Sequence, residues 1–153
     1  MQKNLGIFRR LNCEKINVMK SLIIILVLFV SQSALSDHLS KNEVEDYKLN
    51  AENLFSCSSY YSTMLQLAKN GKIVGSTPGD EIIFIKKLDG MFQIGMDFLK
   101  IIHIDSSNEE WQHIIDNQMD KVGSFFIEKG AKELHFKYHR LCEDLWDIID
   151  DVI

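Results

Sequence analysis

From residue 41 onward, apolar side chains recur every three or four positions, which is the spacing of one face of an α-helix. The first such stretch predicts a helix from about Lys41 to Asn70, where Asn70 and Gly71 supply a stop signal. Its predicted buried stripe comprises Leu54, Cys57, Ser58, Tyr61, Met64, Leu65 and Ala68. Tyr60 lies one position off this stripe, so we expect it at the boundary between core and solvent.

A second helix is predicted to start at Thr77, which caps it, with Pro78 at the first helical position, and to extend to about His103. Between Ile82 and Ile104, 14 of 23 residues are large and apolar, and they cover most of the helix circumference. A helix of this kind is normally buried on several sides. The second helix therefore either lies at the centre of the fold or leaves apolar surface for a partner.

Two glycines, Gly90 and Gly95, interrupt this apolar helix. We interpret them as places where another helix packs closely, with a kink as the alternative. The run 82–85 alone would also suit a strand, but it is short for one.

The third predicted helix has a capping box, in which Ser106 or Ser107 is followed three residues later by Glu109 or Glu110. Gly130 ends this helix. Its predicted inner face comprises Trp111, Ile114, Ile115, Gln118, Val122, Phe125 and Phe126.

A fourth helix is predicted from about Ala131 to Asp150. Its apolar residues alternate at spacings of four and three, as in a bundle seam, and are Leu134, Tyr138, Leu141, Leu145, Ile148 and Val152. Four amphipathic helices joined by three connections predict an all-α fold, a four-helix up-down-up-down bundle.

The first 36 residues follow another pattern. Five basic residues precede the segment Ser21–Val30, which is apolar after its first residue, and Ala34 and Ser36 stand at the −3 and −1 positions of a cleavage site before Asp37. This order predicts a secretory signal peptide over 1–36, with Met19 as a possible true start, and one helical domain over 37–153. The apolar run has about half of the roughly 20 residues that a spanning helix needs, so an uncleaved anchor is the less favoured alternative.

Removal of the leader changes the charge of the protein. Five of the 17 basic residues and one of the 22 acidic residues are lost, which leaves 12 basic and 21 acidic residues and a formal net charge of −9. Such a protein is repelled by nucleic acids and by anionic membrane surfaces, and it suits a cationic partner. Solubility alone is the simpler explanation of the charge.

Cys13 is lost with the leader, so only Cys57 and Cys142 remain, and they allow one intramolecular pairing. In the predicted bundle the end of the first helix and the start of the fourth lie at the same pole. Cys57 is about 20 Å from that pole and Cys142 about 17 Å, so the two lie at similar levels. We therefore predict a structural disulfide; two buried free thiols or a redox pair are the alternatives, and the sequence contains no C-x-x-C.

His135 and His139 are four residues apart, so they share a helix face, and this spacing can grip a metal ion. A site needs a further ligand, which His113 or a carboxylate would have to supply, and nothing in the sequence brings one there. The sequence also lacks an H-E-x-x-H, a P-loop, a G-x-G-x-x-G and a G-x-S-x-G motif. We expect no metal, no cofactor and no catalytic residues.

Acidic residues crowd the last turns of the fourth helix. Negative charge there opposes the helix dipole, which favours Lys or Arg at a C-terminus. Departures from a local rule are candidate functional sites, so we expect this end to contact a partner; a solvated helix end is the alternative. The candidate partner-binding residues are Glu143, Asp144, Asp147, Asp150 and Asp151.

These patterns favour a small exported protein, periplasmic or secreted, that acts without catalysis by binding or inhibiting another protein. A protein that neutralises a toxin or a hydrolase fits this description, as does a chaperone or an assembly factor. We expect the partner to be a protein, and preferably a cationic one. A homodimer formed through the second helix is the alternative. Two alternatives remain: a small-molecule carrier with an apolar cavity in the bundle, and a small enzyme.

Overall fold

The structure, a computed structural model, describes residues 39–73, 76–102, 104 and 109–151. It contains three helices, α1 (Lys41–Lys69), α2 (Pro78–Ile101) and α3 (Glu109–Asp150). Every regular element in these described ranges is helical, which confirms the predicted all-α fold. The predicted signal peptide, Cys13, and the predicted capping residues Ser106 and Ser107 lie outside the described residues, as do His103 and Val152.

The end of α1 and the start of α2 are set by the local signals that the sequence predicts, and the start of α1 is set by a capping box that was not predicted. Ser40 caps α1 in a capping box with Glu43: the Glu43 backbone N–H donates to the Ser40 side chain, and the Ser40 N–H donates to the Glu43 carboxylate at 2.8 Å. Thr77 and Asp80 form the same box at the start of α2, where Pro78 takes the first position. After α1, Gly71 adopts a left-handed conformation with φ of 64°, which glycine accepts without strain.

Helix α3 is interrupted at Gly130, where φ is 83° and ψ is 176°. The sequence predicts the end of one helix at this residue and the start of the next at Ala131. We refer to residues 109–129 as α3N and to residues 131–150 as α3C.

Ring contacts across Gly130 show that the chain reverses there. The centroids of the Phe125 and Tyr138 rings are 6.2 Å apart, whereas residues 13 positions apart in a continuous helix would be separated by about 20 Å. Segment α3C therefore runs back along α3N.

Contacts between the other helices give their directions. Tyr47 contacts Phe98 and Tyr61 contacts Phe84, with ring centroids 5.5 and 6.2 Å apart, so α1 and α2 are antiparallel. Lys48 pairs with Glu110 at 2.8 Å, and the Ser56 hydroxyl donates to Gln118 at 3.1 Å. Both of these pairs are separated by 62 residues, so α1 and α3N run in the same direction.

Helix α1 lies at the centre of the fold. It packs along both α2 and α3, whereas α2 and α3 meet only over a short stretch. The apolar α2 does not take the central position, because it lies to one side of α1 and leaves apolar side chains exposed.

The predicted disulfide between Cys57 and Cys142 is present. Their Cα atoms are 5.4 Å apart, and the bond joins α1 to α3C across 85 residues of chain. Both cysteines are fully buried.

The two glycines of α2 are packing sites, as predicted, and α2 continues through both. A Cβ atom on Gly95 would lie 2.8 Å from Cε1 of Phe55, and one on Gly90 would lie 2.8 Å from Cζ3 of Trp146. Both distances are too short for a side chain, so each glycine admits an aromatic ring against the helix backbone.

Two predicted positions are wrong. Leu141 is exposed rather than in the seam, because its neighbour Cys142 faces α1 through the disulfide and turns Leu141 outward. Tyr60 is 1% exposed rather than at the boundary, because rings from α3C cover it, with the Tyr138 centroid at 6.2 Å. In the described part of the chain, no helix has both the length and the hydropathy needed to cross a bilayer.

Candidate functional site

The first two turns of α2 carry a group of exposed apolar side chains. Ile82, Ile83 and Ile85 are exposed to 68%, 49% and 42%. The core side of α2 is occupied by other residues, among them Met91 and Phe98, which are fully buried. Soluble monomers rarely group large apolar side chains in the open, so these isoleucines form a candidate contact surface.

Lys86 connects these isoleucines to the acidic end of α3C. Its Nζ donates to Oδ1 of Asp150 at 2.7 Å and lies 5.3 Å from the ring centroid of Trp146. Because Lys86 belongs to the same helical turns as the isoleucines, the apolar and acidic groups adjoin each other. We call this region the α2–α3C surface, and it comprises Ile82, Ile83, Ile85, Asp147, Asp150 and Asp151.

The acidic residues that the sequence singles out divide into different environments. Asp147, Asp150 and Asp151 are exposed. Asp150 pairs with Lys86, whereas neither Asp147 nor Asp151 forms a salt bridge within the described residues. Asp144 is half-buried, and its Oδ2 lies 3.9 Å from Nε of Arg140.

Glu143 is not part of this exposed cluster. It forms a network of hydrogen bonds between helices. The Tyr61 hydroxyl donates to its Oε1 at 2.8 Å, and Nζ of Lys87 donates to its Oε2 at 2.5 Å. The Lys87 side chain is only 11% exposed. This half-buried carboxylate therefore joins α1, α2 and α3C.

The protonation states in this network follow from burial and hydrogen bonding. Burial by itself would raise the pKa of Glu143, but the hydrogen bonds from Lys87 and Tyr61 outweigh it and hold that pKa below its ordinary value. Burial raises the pKa of the Tyr61 phenol, and its hydrogen bond to Glu143 raises it further. At neutral pH Glu143 is therefore a carboxylate and Tyr61 a neutral donor.

The two histidines adjoin this network. Nδ1 of His135 lies 2.9 Å from the Tyr60 hydroxyl, and the rings of His135 and His139 stack with centroids 4.3 Å apart. Nδ1 of His139 lies 3.7 Å from Oε1 of Glu143. Partial burial lowers the pKa of His135, and charge on His139 lowers it further, so at neutral pH His135 is neutral and shares a hydrogen bond with the Tyr60 hydroxyl through Nδ1.

Of the two histidines, His135 therefore forms a hydrogen bond between helices, to Tyr60, whereas His139 stacks on it within α3C. In the described ranges there is no group of three or more His, Cys, Asp or Glu side chains arranged to hold a metal ion. The groups that contact Glu143 and His135 hold three helical segments together, and the exposed groups lie on the α2–α3C surface.

Sequence reasoning did not identify Tyr60, Tyr61 or Lys87 as members of a polar network. The sequence nevertheless contains a signal for part of this network. Tyr60 and Tyr61 lie three and four residues after Cys57, on the same side of α1, and Glu143 follows Cys142 directly. A Cys57–Cys142 bond therefore places a phenol and a carboxylate at adjacent levels.

The chain matches no protein-family model, no curated protein and no solved structure. Any function must therefore be inferred from the chain itself.

Proposed function

We propose that this is a small exported protein that acts without catalysis, by binding or inhibiting another protein in the periplasm or outside the cell. The observation that carries the proposal is the exposed group Ile82, Ile83 and Ile85, which adjoins the acidic end of α3C. Fully burying an isoleucine is worth about 1.5–3 kcal/mol, so a partner that covers three of them gains substantial binding energy.

Export is supported by two independent features. The leader has the order of a signal peptide over 1–36, with basic residues, a short apolar run and small residues before Asp37. The Cys57–Cys142 disulfide fits an oxidising compartment such as the periplasm or the extracellular space. The mature protein is then residues 37–153.

We further propose that this mature chain is a four-helix up-down-up-down bundle, with α3N and α3C as its third and fourth helices. Three features support this topology. The backbone of Gly130 is not helical. Helices α1 and α2 are antiparallel, and α1 and α3N run in the same direction. The contact between Phe125 and Tyr138 turns α3C back along α3N.

The test is affinity capture from the native extracytoplasmic fraction, with the purified, oxidised protein as bait and mass spectrometry as readout. The matched baits are an Ile82→Ser/Ile83→Ser variant and a Leu49→Ser variant, since Leu49 is 50% exposed but lies on α1. We expect one stoichiometric protein partner that binds the wild type and Leu49→Ser and is lost from the double variant. The partner's own activity, measured with and without this protein, separates inhibition from simple binding.

Two outcomes would contradict the proposal. Capture of the same partner by all three baits would remove the α2 isoleucines from the interface. Recovery of no protein, together with a bound small molecule in native mass spectrometry, would favour the carrier alternative instead.

A further inference from the structure

The exposed apolar side chains of α2 form a stripe along its outer side. Ile82, Ile85 and Phe92 follow one another at intervals of three and seven residues, which places them on one side of a helix, and all three are exposed. The stripe extends over eleven residues, or about 15 Å along the helix axis from its first to its last residue. This length suits a partner element of about three helical turns.

Negative charge surrounds this stripe. The exposed Asp89 lies within it, seven residues after Ile82, and the exposed Asp147 and Asp151 belong to the end of α3C that meets α2 through the Lys86–Asp150 pair. None of these three carboxylates forms a salt bridge within the described residues. The nearby cation Lys86 is already paired with Asp150 at 2.7 Å.

The charge decides which occupant suits the stripe. A second copy of this chain would bring the same unpaired carboxylates against it, and with a net charge of −9 on the proposed mature chain, self-association is opposed by repulsion. Anionic lipid is repelled for the same reason. A basic partner instead gains attraction from Asp89, Asp147 and Asp151 while it covers the isoleucines.

We propose that the outer side of α2, together with the acidic end of α3C, binds a basic amphipathic helix of another protein, one that carries apolar side chains on one face and Lys or Arg beside them. This inference rests on the proposed binding function and names the class of its partner. A helix suits the site because the stripe is a ridge at helical spacing, and helices pack ridge into groove.

The probe is a synthetic 14-residue peptide of Leu and Lys with Leu at helical spacing, labelled for fluorescence anisotropy and titrated with the purified, oxidised protein. Control peptides are a scrambled sequence of the same composition and an amphipathic peptide with Glu in place of Lys. We expect saturable binding of the amphipathic Lys peptide only, and weaker binding as salt screens the carboxylates.

Protein variants locate the site. We expect the Ile82→Ser/Ile85→Ser variant to bind the probe about tenfold or more weakly, because two apolar contacts are lost. Asp147→Asn/Asp151→Asn should bind it more weakly and with a reduced salt dependence. Leu49→Ser should bind as the wild type does. Circular dichroism of each variant checks that the fold is retained.

Three results would overturn this inference: no binding of the Lys peptide, equal binding of the scrambled or Glu peptide, or equal binding by the stripe variants. A dimer in sedimentation equilibrium that disappears in Ile82→Ser/Ile85→Ser would also overturn it, since a second copy would then occupy the stripe. If affinity capture still yields a partner that depends on Ile82 and Ile83, only the partner class is wrong. If capture also fails, the binding function itself is wrong.

Discussion

Gly95 and Gly123 are both helical glycines, but they have different surroundings. A Cβ atom on Gly95 would lie 2.8 Å from the ring of Phe55, which is fully buried, whereas one on Gly123 would meet nothing within 4 Å. The same glycine-to-alanine change is therefore governed by packing at one site and by helix propensity at the other.

We expect Gly95→Ala to destabilise the protein by about 1–3 kcal/mol, because the new methyl group overpacks the contact between α1 and α2. Gly123→Ala is the matched control and should stabilise it by up to about 0.5–1 kcal/mol. Urea denaturation of the oxidised proteins measures both. Equal effects at the two positions would show that Gly95 is not a packing site.

The lowered pKa of His135 gives the protein a pH-dependent stability. Burial and His139 hold the pKa of folded His135 below its ordinary value of 6.5, so the unfolded chain takes up this proton first. The contribution of His135 to the free energy of unfolding should therefore be fully present above pH 6.5. It should be lost as the pH falls through the pKa that His135 has in the folded protein. The lowered pKa of Glu143 acts in the same direction, below its ordinary value of 4.5.

Thermal melts between pH 8 and pH 3 test this expectation. His135→Gln cannot titrate but can still accept a hydrogen bond from Tyr60, so it should remove the decline that begins near pH 6.5 and leave the one below 4.5. His113→Gln, at an exposed position of α3N, is the control and should behave as the wild type. A flat profile in the wild type would contradict the lowered pKa of His135.

At the scale of the helices, one carboxylate joins three segments. Glu143 on α3C accepts from Tyr61 on α1 and from Lys87 on α2. Among the described residues, the adjacent Asp144 forms a salt bridge only with Arg140 of its own helix, at 3.9 Å. Neighbouring acidic residues therefore differ in role: Glu143 connects helices, and Asp144 lies at the edge of the surface.

We expect Glu143→Ala to destabilise the protein by about 1–3 kcal/mol, because it leaves the buried Tyr61 hydroxyl and the largely buried Lys87 ammonium without their acceptor. Asp144→Ala should change stability little, since an exposed ion pair contributes about 0–1 kcal/mol. The two variants are compared by urea denaturation at pH 7. Equal and small effects would mean that the Glu143 network does not hold the helices together.

At the scale of the whole molecule, the disulfide joins the central helix to the last helical segment. It spans 85 residues, so it restricts much of the unfolded chain.

Reduction, or a Cys57→Ala/Cys142→Ala variant, should lower the free energy of unfolding by roughly 4–5 kcal/mol on the chain-entropy model, and often by less in practice. Denaturation with and without reductant measures the loss. Peptide mapping of the exported protein under non-reducing conditions should find Cys57 and Cys142 in one linked peptide. Free thiols at both positions would contradict the disulfide.

Much of the helical organisation was predictable because its signals are local. Thr77 and Gly130 act within about one turn of chain, so their effects can be read without knowing the tertiary fold. The disulfide was predictable for a different reason: with the leader removed, two cysteines allow only one pairing.

The candidate site was predictable only in part. The exposed end that includes Asp147, Asp150 and Asp151 remains a prediction as a partner-binding site. Glu143 was grouped with them by sequence, but the structure directs it toward Tyr61 and Lys87. Charge composition cannot separate these roles, because they depend on which way the helix is turned.

The sequence by itself determined the helical class, the stop after α1, the cap of α2, the break at Gly130 and the cysteine pairing. Only the tertiary structure decided that α1 is central, that Tyr60 is buried and that the isoleucines of α2 face outward. The physical reason is that caps and breaks are set within one turn of chain. Which face of a helix is buried depends instead on its rotation against its neighbours, which side-chain packing fixes at contacts such as Gly95 with Phe55.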